Sequence, residues 1–419
     1  MGTPDFAVES LKSLQQAGNN ILAVVTNIDK PRGRGNKVLG TPVKEYAIEH
    51  NIKIYQPFKV RDNVEFINEM EELKPDLFCV VAYGKILPQE LLDIPKYGSV
   101  NVHGSLLPKY RGAAPIQWAI LNGDKTTGVT TMFMEAGMDT GDMILKEKVE
   151  IGENETTGEL WTRLAKIGGK LLVETVDLIE KGEAPREKQN DKFSMAPMLK
   201  KEMAQIDWEN RTAREIKNLV RGLNPIMGAY STINGKKIKF WKVNVIEEKT
   251  LYDMFPDLSE YSYKMREIIP GTVLFSGDKN GLYIKTIDGI IEAVEVQAEN
   301  SKKMHILEFL RGNNIQAGHC NEHTNGITTP VKAYPLGRAT CGAWDMCSNT
   351  WEMTESEYND GRNRFCILKG GSSYKAEGSD WYFDGGIQTT DFAAKQLLLY
   401  PGIDRCSTVG FRCVIDLKK

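Results

Sequence analysis

Two kinds of apolar run alternate along the first half of the chain. Residues 21–27, 76–83 and 99–102 are short, continuous and rich in Val and Ile, as strands buried on both faces of a parallel sheet are. Between them the spacing is helical. Phe6, Leu11 and Leu14 follow Pro4 at that spacing, and Thr41-Pro42 supplies a cap residue and a first-turn proline for another helix. Thr156-x-x-Glu159 forms a capping box, from which Leu160, Leu164, Leu171 and Val176 continue a long helix to Gly182. These elements predict a doubly wound α/β domain over residues 1–182.

Residues 183–205 are polar and aperiodic, which predicts a linker. A second domain, 206–312, follows. Thr212-x-x-Glu215 opens a helix with Ile216, Leu219, Val220 and Leu223 on one face, ending at Asn224-Pro225. Asn234-Gly235 then sits as a hairpin signal between 229–233 and 237–245, and runs at 271–275, 281–286 and 289–296 continue the spacing of a small β-barrel. After Gly312 the pattern changes to short apolar pieces among Gly, Asn, Ser and Cys, read as a connector (313–327) and a third segment (328–419).

A length of 419 residues agrees with two or three domains. No apolar run approaches the ~18 residues that cross a bilayer, and the start has no basic-then-apolar leader pattern, so a cytoplasmic protein without a membrane partner is expected. A net charge of −3 places any RNA contact in local basic patches. None of the seven cysteines forms a C-x-x-C pair, which argues against zinc, and no catalytic metal is expected.

The densest chemistry lies in Asn101-Val102-His103-Gly104-Ser105-Leu106-Leu107-Pro108, with Asp139 in Gly137-Met138-Asp139-Thr140-Gly141. Strand alternation puts Asn101 and His103 on one side. Acyl transfer to an amine needs a donor for the tetrahedral oxyanion, which Asn supplies, and a proton acceptor with a pKa near neutrality, which is His. Asp139 suits a role in orienting the imidazole or a bridging water and stabilising its cation.

With Arg111-Gly112-Ala113-Ala114-Pro115, Gly2-Thr3-Pro4-Asp5-Phe6 and Val81-Ala82-Tyr83-Gly84-Lys85-Ile86-Leu87-Pro88, these strings resemble the folate-dependent formyltransferases. The resemblance implies an Asn101, His103 and Asp139 triad and 10-formyltetrahydrofolate as cosubstrate. It also implies a folate site lined by Ser105, Leu106, Leu107 and Pro108 and walled by Ala82, Tyr83, Gly84, Ile86 and Leu87. The catalytic half alone also suits formylation of a small amine or an amino sugar. Two features point instead to methionyl-tRNA formyltransferases. Lys30, Arg32, Arg34 and Lys37 punctuate a Gly- and Pro-containing loop suited to phosphates, and Lys236 and Lys237 flank the hairpin of the second domain. The loop is similar to the one that family inserts to engage the acceptor end, and the barrel to its OB-like, tRNA-binding C-terminal domain. Methionyl initiator tRNA is then the expected partner, and the enzyme a monomer.

Two departures from the family stand out. Its members carry a β-strand before Gly-Thr-Pro-Asp-Phe, so the parallel sheet is expected without its first strand, and a non-catalytic folate- or RNA-binding protein is the third reading. At the other end, 328–416 resembles part of a formylglycine-generating (sulfatase-modifying factor) domain, an α+β fold. The matching strings are Trp344-Asp345-Met346, Leu368-Lys369-Gly370-Gly371-Ser372 and Gly410-Phe411-Arg412-Cys413-Val414. Lys375 and Asp380 stand near that family's catalytic cysteines, so no cysteine oxidation is expected, and the resemblance leaves a Ca²⁺ near Asp345 and Glu352 as an alternative. The reading is a gene fusion.

Overall fold

The computed structural model describes residues 1–32, 37–233, 236–256, 268–313 and 315, and the backbone of four strands between 351 and 410; of residues 31, 32 and 37 it describes the backbone alone. The chain divides into two units, Met1–Ala204 with Asn218–Gly228, and Gln205–Lys217 with Ala229–Lys419.

The first unit opens on α1 (Asp5–Gln16), which buries Phe6, Ala7, Ser10 and Leu14 along one face. Strand β1 (Val24–Val25) leads into a hairpin of β2 (Lys30–Arg32) and β3 (Lys37–Leu39). The root of this hairpin is tied down: the Asp29 carboxylate accepts from Lys44 Nζ and Gln56 Nε2, which holds it below the usual carboxylate pKa. Helix α2 (Pro42–Glu49) starts at Thr41, whose hydroxyl accepts from Lys44 N–H at 3.1 Å. Next come β4 (Ile54–Tyr55), α3 (Val64–Leu73), β5 (Phe78–Val80), α4 (Gln89–Leu92) and β6 (Ser99–His103). After α5 (Pro115–Leu121), β7 (Thr126–Phe133) and β8 (Met143–Glu150) complete the sheet. Helix α6 (Thr157–Lys181) has both bonds of the expected capping box and stops at Gly182, where φ is 73°.

β1 pairs with β4 and β5 with β6 in parallel, as expected, whereas β6, β7 and β8 are antiparallel, so the sheet is mixed. The sequence reading missed β7, where polar residues occupy several inner positions, and β8, which buries only Met143 and Ile144 at one end. Thr127, Thr130 and Thr131 are buried, and the hydroxyls of Thr130 and Thr131 are hydrogen-bonded to Ser105 O and Thr175. Between the β1–β4 and β5–β8 ladders lie Met1 and Gly2: Gly2 N–H donates to Val25 O at 2.9 Å and Val81 N–H to Met1 O at 2.8 Å.

The stretch 183–205, read as a linker, is ordered along the first unit. Met143 and Glu187 exchange backbone hydrogen bonds, Arg111 N–H donates to Ser194 O, and Ala196 N–H donates to Arg111 O. Composition hid this because the bonding is backbone to backbone, which any residue supplies.

Helix α7 (Ala213–Gly222), whose first five residues belong to the second unit, begins after Thr212, which shares reciprocal bonds with Glu215. An antiparallel ladder follows, in the order β11 (Val273–Gly277), β12 (Gly281–Lys285), β13 (Ile290–Ala298), β10 (Lys236–Ile246) and β9 (Ala229–Ile233), with β14 (Met304–His305) beside β13. The hairpin tip at Asn234-Gly235 lies outside the described residues. Helices α8 (Glu248–Met254) and α9 (Ile306–Gly312) accompany the sheet. Its core is set by Trp208, which meets Phe240 edge-on at 6.2 Å and donates from its indole to Ser231 Oγ at 3.0 Å. Farther on, β15 (Trp351–Asn359), β16 (Arg364–Lys369), β17 (Ala394–Leu397) and β18 (Val409–Gly410) form a four-stranded sheet. Asp345, Lys375 and Asp380 lie outside the described residues, and nothing of Glu352 beyond its backbone lies within them. No helix among the described residues is long and apolar enough to cross a membrane.

Where α1 and α6 touch, Gly169 allows the close approach: a Cβ there would stand 2.5 Å from Ser13 Oγ and 2.8 Å from the Glu9 carbonyl oxygen. Gly169→Ala is therefore expected to lower stability by about 1–3 kcal/mol, against about 1 kcal/mol or less for Gly182→Ala at the exposed cap. Urea titration of both variants checks this, and a Gly169→Ala midpoint equal to that of the parent would disprove the tight crossing.

Candidate active site

Strands β5 and β6 run parallel, so the loops leaving their C-terminal ends lie along one sheet edge, where open α/β sheets bind ligands. Val80 pairs with Asn101, and Asn101 and His103 share one side of β6. Asn101 is half-buried, and its amide makes no hydrogen bond within the described residues. His103 is buried to 5% exposure, with Nε2 at 2.8 Å from Tyr110 O. A carbonyl only accepts, so Nε2 carries the hydrogen and the lone pair of the neutral ring sits on Nδ1. Nδ1 lies 3.7 Å from Asp139 Oδ2, too far for a direct hydrogen bond and close enough for a water to bridge the two.

The backbone of this site is unusual. Tyr110 and Asp139 have φ of 65° and 53°, and Ala82 has 46°, a region that non-glycine residues rarely occupy. The Tyr110 turn aims its carbonyl at His103, while Tyr110 N–H donates to Ser194 Oγ at 2.9 Å. The phenol is anchored by Asp124 and Asn122; burial and the Asp124 carboxylate push its pKa up to about 12 although the Asn122 bond opposes them, so it stays neutral. Asp139 Oδ2 accepts from Gly112 N–H at 2.8 Å. Gly112, at φ 119°, has no room for a side chain, because a Cβ would stand 2.8 Å from Ala196 O.

Sequence reasoning missed Gln189. Its Oε1 accepts from Arg111 Nε at 2.9 Å, and its Nε2 donates to Asp139 O and Gly141 O at 2.8 and 2.9 Å. One amide thus holds both the Asp139 turn and the arginine of the Arg-Gly string. The only signal for it was that a buried Arg111 requires a partner.

The expected folate-site residues separate into two groups. Ala82, Gly84 and Ile86 are exposed and Leu106 and Pro108 partly so, whereas Tyr83 and Leu87 are buried in an apolar cluster with Phe66 and Phe78. Ser105 is turned inward, donating to Lys109 O at 2.6 Å, and Leu107 packs between Met132 and Met143. In this conformation Tyr83, Leu87, Ser105 and Leu107 shape the loops from behind and present no side chain to a ligand. Among the expected cations, Lys30 is exposed, Arg34 lies outside the described residues, and Arg32 and Lys37 pair through their backbones. Lys236 is exposed, and Lys237 Nζ lies 3.5 Å from the centroid of the Tyr230 ring. Lys239 and Lys303 both approach Trp241, a cation and aromatic face that the charge count alone did not reveal.

The formyl transferase family model matches residues 1–176, and the model of its C-terminal domain matches 198–314. The methionyl-tRNA formyltransferase of Clostridioides difficile is 49% identical over 319 residues, spanning 76% of this chain and 97% of its own length. The chain belongs to the methionyl-tRNA formyltransferase family. The enzyme of that name from Caldanaerobacter subterraneus is 47% identical over the same shares of both chains. An N-formyltransferase from Helicobacter canadensis, solved with folinic acid and dTDP-3-aminofucose, superposes with a TM-score of 0.50 at 23% identity, covering 71% of this chain and 97% of that one. The last likeness speaks for the fold alone. A sulfatase-modifying factor domain model matches residues 295–417, so two family matches are joined in one chain and overlap at 295–314.

Gln189→Leu is expected to destabilise the protein by about 1–3 kcal/mol, because it leaves Arg111 Nε and two carbonyls without their partner. Gln189→Glu, which keeps the acceptor for Arg111, should cost less. Equal denaturation midpoints for parent and Gln189→Leu would show that the amide holds nothing in place.

Proposed function

We propose that the chain transfers a formyl group from 10-formyltetrahydrofolate to the amine of methionyl initiator tRNA, with Asn101, His103 and Asp139 as its catalytic residues. The observation that carries this reading is an uncommitted Asn101 amide beside a His103 and Asp139 pair, in a chain 49% identical to a relative of that name. The folate supplies a formyl carbon bonded to nitrogen. As the substrate amine adds to that carbon, the Asn101 N–H donates to the oxygen that becomes negative. His103 accepts the amine's proton at Nδ1, directly or through water, and Asp139 stabilises the resulting cation. The same proton then passes to the folate nitrogen as its bond to the formyl carbon breaks. Burial of His103 strengthens this electrostatic pairing.

Folate contact falls to Ala82, Gly84, Ile86, Leu106 and Pro108, with the four inward residues as support. For tRNA, the β2–β3 hairpin offers Lys30, Arg32, Arg34 and Lys37, and the second unit, as an OB-like platform, offers Lys236, Lys237, Tyr230 and Trp241. Lysines over aromatic rings suit a sugar-phosphate chain with an unstacked base.

Assaying formyl transfer to charged initiator tRNA, to an amino sugar nucleotide and without acceptor tests the reading directly. Turnover on the sugar and none on the tRNA would overturn it. Asn101→Ala and His103→Ala should each lower kcat by about 10²–10³ with folate affinity within a few-fold of the parent. Losses under threefold in both would remove these residues from the mechanism. Replacing Arg34 and Lys37 by Ala should weaken tRNA use and lower the slope of its salt dependence by about 0.7–0.9 for each phosphate no longer neutralised. An unchanged slope would exclude the hairpin from the interface.

A further inference from the structure

Arg111 carries a positive charge that the proposed chemistry does not use. The residue is only 9% exposed. Its Nε donates to Gln189 Oε1 at 2.9 Å, and the guanidinium carbon lies 4.5 Å from the centre of the Phe193 ring. The two terminal nitrogens make no hydrogen bond among the described residues, and no carboxylate there pairs with them. Arginine keeps its proton, so burial cannot neutralise it as it can a lysine. A cation taken nine-tenths out of water without a counter-ion costs free energy, which an arriving anion would offset. The outer edge is not sealed against one, because neither terminal nitrogen is among the fully enclosed polar atoms that lack a partner. The catalytic pair fixes where this cation stands. Its chain neighbours supply the carbonyl of Tyr110 to His103 and the N–H of Gly112 to Asp139, and the amide that accepts from Arg111 also donates to Asp139 O. Backbone bonds to Ser194 and Ala196 hold residue 111 against the stretch that carries Phe193. That ring is 51% exposed, so much of it stays uncovered beside the guanidinium.

We propose that Arg111 and Phe193 form a nucleotide subsite, in which the guanidinium takes the phosphate of the acceptor's terminal adenosine and the ring stacks on its base. The subsite rests on the formyl-transfer reading for the identity of the acceptor. In an aminoacyl-tRNA the reacting amine belongs to an amino acid esterified to the ribose of that last nucleotide. Its phosphate therefore comes to rest one sugar and one ester group away from the catalytic pair, which Arg111 flanks through both of its chain neighbours. The free edge of a guanidinium presents parallel N–H donors that match two oxygens of a phosphate. With Nε already held by Gln189 and the ring against its face, the fork is oriented before the ligand arrives. Every base offers a π-face to an exposed aromatic ring. A folate carboxylate would satisfy the charge, but it would leave the uncovered ring without a partner.

Binding of AMP and of adenosine to the full chain, measured by equilibrium dialysis, tests the subsite without turnover. AMP is expected to bind about tenfold more tightly than adenosine, as a charge-assisted pair supplies. Arg111→Met should remove that preference and raise the KM for charged initiator tRNA about tenfold, with the KM for 10-formyltetrahydrofolate within about threefold of the parent. Phe193→Leu, which leaves the Arg111 bond to Gln189 in place, should weaken both ligands about fivefold and keep their ratio. The parent ratio and Phe193→Leu decide the matter even where Arg111→Met fails to fold. Equal affinities for AMP and adenosine in the parent, no detectable AMP binding, a preference that survives Arg111→Met, or Phe193→Leu binding both as tightly as the parent would each overturn the proposal. So would a loss of folate affinity in Arg111→Met with AMP binding unchanged, which assigns the charge to a folate carboxylate. A preference for AMP in a chain that formylates no tRNA would support the subsite and overturn only the acceptor named above.

Discussion

The hydrogen bond from His103 Nε2 to the Tyr110 carbonyl sets the tautomer of the one buried imidazole at the sheet edge, and most of the surrounding structure serves to keep that carbonyl where it is. The Tyr110 backbone lies in the left-handed region, which a bulky residue leaves unless held. Ser194 holds its N–H, Asp124 and Asn122 hold its phenol, and the 187–197 stretch holds Arg111 beside it through paired backbone bonds. With Nε2 committed, the basic lone pair faces Asp139. The Asp139 turn in turn depends on Gln189 and on the N–H of Gly112. Nothing in this set is free to relax alone.

That arrangement explains which parts were legible in the sequence. Helices α1, α2 and α6 carry their signals locally, in caps, periodicity and a terminal glycine, and so do β1, β5 and β6, as unbroken apolar runs. Asn101, His103 and Asp139 stood out because their chemistry is scarce and their neighbouring strings are distinctive. β7 was invisible because three of its buried positions are threonines, two of them, Thr130 and Thr131, satisfied by hydrogen bonds, which no hydropathy pattern registers. Gln189 was invisible for a related reason: its role exists only once the chain has folded back over the 78 positions that separate it from Arg111, and its own neighbourhood is polar and aperiodic.

The 82–88 and 105–108 loops separate along the same line. Resemblance marks a string of residues as a unit, while packing divides it. Within 105–108 the side chains alternate between the interior and the surface, so Ser105 and Leu107 fix the loop that Leu106 and Pro108 expose. Keeping the loop's shape and touching a ligand are different tasks, and a motif reports their sum.

The strap across the site also sets a timetable. Tyr110 finds Ser194 84 residues later in the chain, and Trp118 donates to Pro197 O 79 residues later. During vectorial synthesis the histidine, its carbonyl partner and the acidic turn all leave the ribosome well before the segment that locks them. Loop closure over such separations is slow relative to helix formation. The Tyr110 turn therefore gains its bond to Ser194, and Trp118 its bond to Pro197, only after those residues have emerged. Order around Tyr110 is thereby coupled to synthesis of the 187–197 stretch, far along the chain from the strand that carries His103.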